Sequence, residues 1–393
     1  MNLSILNTDV QNFINEHLDT EIPKLLFKGT HFENVTTLEL IEQIEAKKKS
    51  QLKLPSWFAS ENVYFPNKLN IEQTSSEQTA EYKSQLIKGK TLIDITGGFG
   101  VDSYYFSKQF DAVVHCEINT ELSKIAQHNF TQLQANGVTT VCKDGISALQ
   151  HLDQKFDWLY VDPSRRHDSK GKVFFLEDCL PNIPKHLDAI FEHTQNVAIK
   201  TSPLLDLSVG IKELKFVKCI HIIAVDNEVK ELLWILEKNN TAPIEVKTVN
   251  LKKVASEFFS FKLKDEASCE VQYSLPRSYL YEPNAAILKS GAFKSVSDVL
   301  NLDKLHQHSH LYTSDQLVEF PGRSFKIKSV LSYNKKEFKA TGIKKANVTT
   351  RNFPDTVQQI RKKLNIKDGG TDYLFFTTDL NQKNSIISCE KIN

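Results

Sequence analysis

The chain has 393 residues, 40% of them hydrophobic and 25% charged, which fits two or three folded domains and argues against a disordered or fibrous protein. No run of about eighteen apolar residues is present, and Met1-Asn2-Leu3-Ser4 lacks the basic-then-apolar pattern of a leader, so neither a membrane span nor a secretion signal is expected. The six cysteines are scattered with no CxxC pair, a poor match to a zinc site or a disulfide framework; they read as reduced thiols in the cytoplasm, with no metal expected. The net charge of +1 is uneven: Gly322–Asn393 carries 15 Lys/Arg against 6 Asp/Glu, an excess of +9 that leaves −8 on the remainder. A basic C-terminal part beside an acidic body fits a polyanionic partner such as nucleic acid, or else a solvated lysine-rich face.

In chain order, residues 2–50 read as helical, with apolar positions three and four apart at Ile5, Val10, Phe13, Ile14 and again at Leu38, Ile41, Ile44. Ser/Thr before Glu in Glu72-Gln73-Thr74-Ser75-Ser76-Glu77 opens a further helix, running to about Ile87. From Lys90 short apolar strands alternate with helices. The expected strands are Thr91–Ile95, Ala112–Cys116, Val138–Cys142, Phe156–Val161 and Asn196–Lys200, then the pair Lys218–Val225 and Glu231–Leu236 joined as an antiparallel hairpin. Such alternation predicts an α/β, Rossmann-like fold: a parallel sheet with helices on both faces. Past Ser274 the rhythm stops. Tyr279–Phe293 reads as an irregular helix, and a small α+β unit follows with strand-like Phe325–Leu331, Phe338–Thr341 and Leu374–Thr378 and a helix over Asp355–Leu364.

The loop Asp94-Ile95-Thr96-Gly97-Gly98-Phe99-Gly100 follows the first strand and precedes a helix, the position where open α/β sheets bind ligands. Gly97, Gly98 and Gly100 permit close backbone approach and positive φ, and Asp94 offers a carboxylate to a cofactor ammonium, directly or through water. A glycine loop alone is weak evidence, but three acidic positions follow in register. Glu117, with Ile118 behind it, ends the second strand where a carboxylate accepts ribose hydroxyls. Asp144-Gly145 follows the third strand, Asp144 facing an adenine amino group or serving as a turn residue. Asp162-Pro163-Ser164-Arg165 ends the fourth, with Asp162 beside the transferred group. Hydride-transfer folds do not need that last element, so S-adenosylmethionine is the expected cofactor and class I methyl transfer the expected chemistry. Gln73 and Ser75 are candidates for the methionine end of the cofactor, or caps of a helix. Arg165 and Arg166 could hold a phosphate or close the loop by an ion pair, and Lys200 could approach the acceptor or lie on the surface. In the basic tail Lys344, Lys345, Arg351 and Arg361, with Phe353 and Tyr373, are candidates for RNA phosphates and stacking, or for a charged face over an aromatic core.

From about Trp57 to the end the chain resembles bacterial class I methyltransferases that carry a C-terminal THUMP-like domain. The residues that carry the resemblance are Glu72–Ala80, Asp94–Gly100, Asp162-Pro163-Ser164-Arg165-Arg166, Ile199-Lys200-Thr201-Ser202-Pro203, Tyr281-Glu282-Pro283-Asn284-Ala285-Ala286 and Lys344–Pro354. The resemblance implies an N-terminal helical region (1–85), a methyltransferase domain (86–272), a ferredoxin-like segment (273–318) and a THUMP-like domain (319–393), with RNA, such as tRNA, as substrate. Ser164 and Arg165 depart from the Asn/Asp-Pro-Pro-aromatic pattern of amino-methylating enzymes. The Asp-Pro-x-Arg form is similar to uracil-5 methyltransferases, yet no cysteine follows Lys200 to serve their chemistry. Methylation of a protein or small molecule, and cofactor-dependent RNA binding without catalysis, are the competing readings.

Overall fold

The structure is a computed structural model and describes residues 1–29, 32–165 and 175–392. The chain divides into two compact units, Met1–Lys218 with Leu232–Thr241, and Cys219–Glu231 with Ala242–Asn393.

The first unit opens with helices α1 (Thr8–Glu16), α2 (Ile22–Lys28), α3 (Thr37–Lys53), α4 (Pro55–Ala59), α5 (Lys68–Gln73) and α6 (Glu77–Leu86). The longest, α3, begins at a capping box in which Thr36 accepts from the Glu39 amide and Glu39 accepts from the Thr36 amide, satisfying two orphan donors. The helix expected to open on a Ser/Thr before Glu is α6, which starts at Glu77 with the Ser76 hydroxyl as its cap. Trp57 is fully buried and packs on Phe99 with ring centroids 4.6 Å apart, so the helical region is seated on the segment that carries the glycine loop.

The sheet begins with strands β1 (Thr91–Asp94), β2 (Ala112–Cys116), β3 (Val138–Val141), β4 (Phe156–Val161) and β5 (Thr194–Thr201). These run parallel in the order β3-β2-β1-β4-β5. Strand β4 is buried along most of its length and β1 over its last three residues, as expected of central strands covered on both faces. Helices α7 (Val101–Phe106), α8 (Thr120–Gln132), α9 (Gly145–Leu152), α10 (Ile183–His193) and α11 (Leu207–Glu213) alternate with the strands. Strand β6 (Val217–Val225) and antiparallel β7 (Glu228–Glu237), which pairs with β5, complete the order β3-β2-β1-β4-β5-β7-β6. Asp226 (φ 47°) and Asn227 (φ 67°) form the two-residue turn between β6 and β7, both in the left-handed region that tight hairpins require.

In the second unit β6 pairs with parallel β8 (Glu245–Leu251), and β8 with antiparallel β9 (Glu257–Lys262). Helix α12 (Leu263–Ser268) follows. A second sheet contains β10 (Tyr279–Pro283), β11 (Tyr312–Ser314), β12 (Gly322–Ser332), β13 (Lys345–Arg351), β14 (Lys367–Thr378) and β15 (Asn384–Lys391), in the order β11-β10-β12-β15-β14-β13. Helices α13 (Ala285–Ser290), α14 (Ser295–Leu300), α15 (Lys335–Ala340) and α16 (Val357–Leu364) complete it. Two expectations are corrected. Tyr279–Pro283 is a strand paired on both sides, and helix starts only at Ala285, where Asn284 caps it. Phe338–Ala340 belongs to α15 and Thr341 caps its end; Phe338 is the buried residue of an otherwise charged turn and so mimicked a strand in isolation.

Candidate cofactor and active site

Loop 94–100 leaves the C-terminal end of β1 and enters α7. Asp94 is buried beneath it; Oδ1 accepts from the Thr96 amide at 3.0 Å and Oδ2 from the Ser103 hydroxyl at 2.7 Å, tying the strand end to the first turn of α7. Burial, with the charges of Asp102 and Asp162 adding to it, lifts the Asp94 carboxyl to about 7. Thr96 Oγ1 accepts from the Asp162 amide at 2.7 Å, which joins the ends of β1 and β4.

The glycines are required by space as well as by backbone angle. A Cβ on Gly97 would lie 2.2 Å from the buried His115 ring, and one on Gly100 (φ 90°) would lie 2.5 Å from Phe130. Gly98 (φ 56°) differs: a Cβ there meets only the Thr96 carbonyl at 3.8 Å, so the loop presents bare backbone on that side. Burial pulls the His115 imidazole down to about 4, keeping it neutral under the loop.

Glu117 ends β2 half-buried. Its Oε2 accepts from the Gly98 amide at 2.9 Å and its Oε1 from the Asn119 amide at 2.7 Å, bringing the carboxylate to the glycine turn. Ile118 is exposed beside it. Asp144 is exposed and caps α9 through the Ser147 amide at 2.9 Å, and Gly145 is held against the Ile95 carbonyl, which a Cβ would approach to 2.1 Å.

At the end of β4 Asp162 forms an ion pair with Lys200 at the end of β5, the lysine mostly buried and the carboxylate about a third exposed. Pro163 is buried and Ser164 exposed; the backbone of Ser164-Arg165 makes a two-residue ladder with Cys179-Leu180. Arg166 lies outside the described residues.

Sequence reasoning missed the layer below. Lys83 of α6 is fully buried and pairs with Asp102 at 3.0 Å. Asp102 Oδ2 also accepts from the Ser75 hydroxyl and the Tyr160 hydroxyl, each at 2.8 Å. Burial acts to raise the Asp102 carboxyl, but the Lys83 and Lys200 ammonium groups and these hydrogen bonds outweigh it and hold the group below its usual range. Ser75 is thus engaged in a buried network, and Gln73 is exposed at the end of α5. Lys83 gives no sequence signal, since a lysine in a polar helix reads as solvated. Glu77 accepts from the Ser56 and Trp57 amides and anchors α4.

In the second unit Lys344 and Lys345 are exposed. Arg351 is bound to Glu282, and Arg361 to Asp368. Phe353 packs on Tyr333 and Phe376, and Tyr373 on Phe325, so these rings belong to cores. All six cysteines are free. Among the described residues no group of three His, Cys, Asp or Glu is placed to hold a metal ion, and no helix is long and apolar enough to cross a membrane.

The sheet order, the reversed β7 and the glycine loop at the end of β1 define a methyltransferase fold. Residues 279–321 match a ferredoxin-like domain and residues 322–391 a THUMP domain-like one. Along its whole length it is similar to a candidate methyltransferase from Porphyromonas gingivalis W83, with a TM-score of 0.87 and 29% identity over 99% of this chain and 98% of that one. Part of the chain is also similar to TrmK from M. capricolum, solved with S-adenosylhomocysteine (TM-score 0.33, 14% identity, 41% of this chain and 68% of that one). A further partial match is Trm5b from Pyrococcus abyssi (TM-score 0.31, 14% identity, 44% and 50%). No curated protein matches.

Proposed function

We propose that the chain is an S-adenosylmethionine-dependent methyltransferase acting on a structured RNA such as tRNA. The observation that carries this reading is the convergence, at one edge of the sheet, of a glycine turn with open backbone, a carboxylate bonded to it (Glu117) and an acidic strand end (Asp162).

The residues fit the cofactor. The open side of Gly98 admits a ligand against the backbone, and Glu117 is positioned for ribose hydroxyls while still bound to the turn. Asp144, at the cap of α9, is available to an adenine amino group through the oxygen that does not cap the helix. Asp102 keeps its negative charge beneath the loop, and Asp94 beside it ionises in answer to a cofactor ammonium. When bound, S-adenosylmethionine supplies an electrophilic methyl on a sulfonium. What the protein must then do is align the acceptor with that methyl and exclude water. Asp162 serves as hydrogen-bond acceptor or base toward the acceptor, and Lys200 fixes the carboxylate's direction. In the sequence, Ser164 replaces the second proline of the amino-methylating pattern and Arg165 the aromatic that would otherwise stack on a base.

RNA as the substrate is supported by the +9 excess of residues 322–393 and by the THUMP domain-like match, since related domains present RNA to modifying enzymes. The reading is tested by comparing modified nucleosides, by mass spectrometry, in RNA from cells with and without the protein. A methylated nucleoside that disappears with the protein, and returns with wild type but not with Asp162→Ala, is the expected result. An unchanged RNA profile with a methylated protein or metabolite found instead would overturn it.

A further inference from the structure

Glu282, on β10 in the second unit, is buried, and its carboxylate is shared by two arginines. Arg323 lies directly across the strand pair on β12; its Nε donates to Oε2 at 2.7 Å and its Nη2 donates to the same oxygen. Arg351, the last residue of β13, donates to Oε1 from Nε at 3.2 Å and from Nη2 at 2.9 Å. One negative charge therefore holds two positive ones, leaving a net +1.

Both guanidinium groups use the same edge on Glu282. A guanidinium carries five N–H donors in a planar fork, so each arginine keeps its Nη1 donors for another partner. Among the described residues no protein group accepts from either Nη1, and the two side chains are 39% and 34% exposed. The surroundings add positive charge. Lys304, His308 and Arg351 all face His310 closely enough to oppose its protonation. The nearby Glu266 is occupied by the amides of Phe293, Lys294 and Ser295.

One arginine would neutralise the Glu282 carboxylate, so the second leaves the cluster with an uncompensated positive charge at the surface. Two forks held by a single carboxylate, with their free edges outward, suit a tetrahedral dianion or monoanion with several acceptor oxygens. Resting on the RNA reading above, we propose that Arg323 and Arg351, aligned by Glu282, form a clamp for one phosphodiester of the RNA backbone.

The test uses the full-length protein and fluorescently end-labelled bulk bacterial tRNA, with binding followed by anisotropy between low and moderate salt. Glu282→Gln is the most telling variant. It makes the protein more positive, so a diffuse basic surface would bind tRNA more tightly; a clamp that has lost its aligning carboxylate binds more weakly, roughly tenfold. The paired substitution Glu282→Gln with Arg351→Gln leaves net charge unchanged and keeps hydrogen-bonding partners in place. It is expected to weaken binding and to reduce the slope of log affinity against log salt by about 1. Arg351→Lys, which retains the ion pair but not the fork, is expected to bind more weakly with the thermal midpoint of wild type. Tighter binding by Glu282→Gln, or wild-type affinity and slope in the paired variant, would overturn the clamp while the RNA reading stands. Failure of the wild type to bind tRNA at any salt would overturn both.

Discussion

Three carboxylates and two ammonium groups meet below the glycine loop: Asp94, Asp102 and Asp162 with Lys83 and Lys200. Lys83 and Lys200 are each committed to an ion pair, and Asp94, sealed from water, is the carboxylate that resists charging. Its raised carboxyl means that the native state binds more protons than the unfolded state between about pH 4 and 7. Stability contributed by this group therefore falls as pH rises through that window and is level above it. A shift of this size corresponds to a cost on the order of 4 kcal/mol at neutral pH. Asp94→Asn is expected to remove that slope, seen as a narrower difference in urea midpoint between pH 5 and pH 8 than in wild type. The same variant should lose more than tenfold in S-adenosylmethionine affinity by calorimetry, because the uncharged amide cannot answer the cofactor's ammonium. Wild-type affinity should rise from pH 6 to pH 8, with proton release detected as a dependence of binding heat on the buffer. At Lys83, substitution by Met leaves the buried Asp102 without its ion-pair partner and should cost about 3–5 kcal/mol in denaturant unfolding. Adding Asp102→Asn should recover part of that loss, since the stranded charge is then gone.

At the scale of elements, the site is a junction of strand ends. Thr96 bonds to the Asp162 amide, Glu117 to the Gly98 amide and Lys200 to Asp162, so β1, β2, β4 and β5 are tied together at their C-terminal ends. The loop depends on these ties and on its fit over His115. Gly97→Ala would drive a methyl into that ring, and either the loop or β2 must move. The expected outcome is loss of cofactor binding with a thermal midpoint lowered by several degrees. Gly98→Ala meets open space but a positive φ, and should weaken binding less than Gly97→Ala. The ordering of the two variants by calorimetry checks whether packing under the loop or its backbone angle dominates.

For the whole molecule, charge is distributed by use. Several residues of the basic tail are neutralised locally: Lys328 by Asp372, Arg361 by Asp368 and Lys363 by Asp355. Lys344 and Lys345 remain exposed without an ion pair among the described residues. Replacing both by Glu is expected to reduce the salt slope of RNA binding by about 2 and to raise KM for RNA while leaving kcat within about twofold. Equal affinity and slope in this variant would assign the excess to solubility.

The sequence by itself determined the strand–helix alternation, the glycine loop and the acidic residues at the strand ends, because each depends on local periodicity or on backbone freedom at single positions. It also located the boundary between the acidic body and the basic tail. It misread Tyr279–Pro283 and Phe338–Thr341, short segments whose apolar residues fit either period until a neighbouring strand or a helix cap decides. Only the tertiary structure decided which charges are buried. Lys83 with Asp102, and Glu282 with Arg323 and Arg351, are pairs separated by 19 to 69 positions in sequence, as far apart as Glu282 and Arg351. A lysine or glutamate far from its partner looks like any solvated charge, and only folding, which removes water from both, shows that one needs the other.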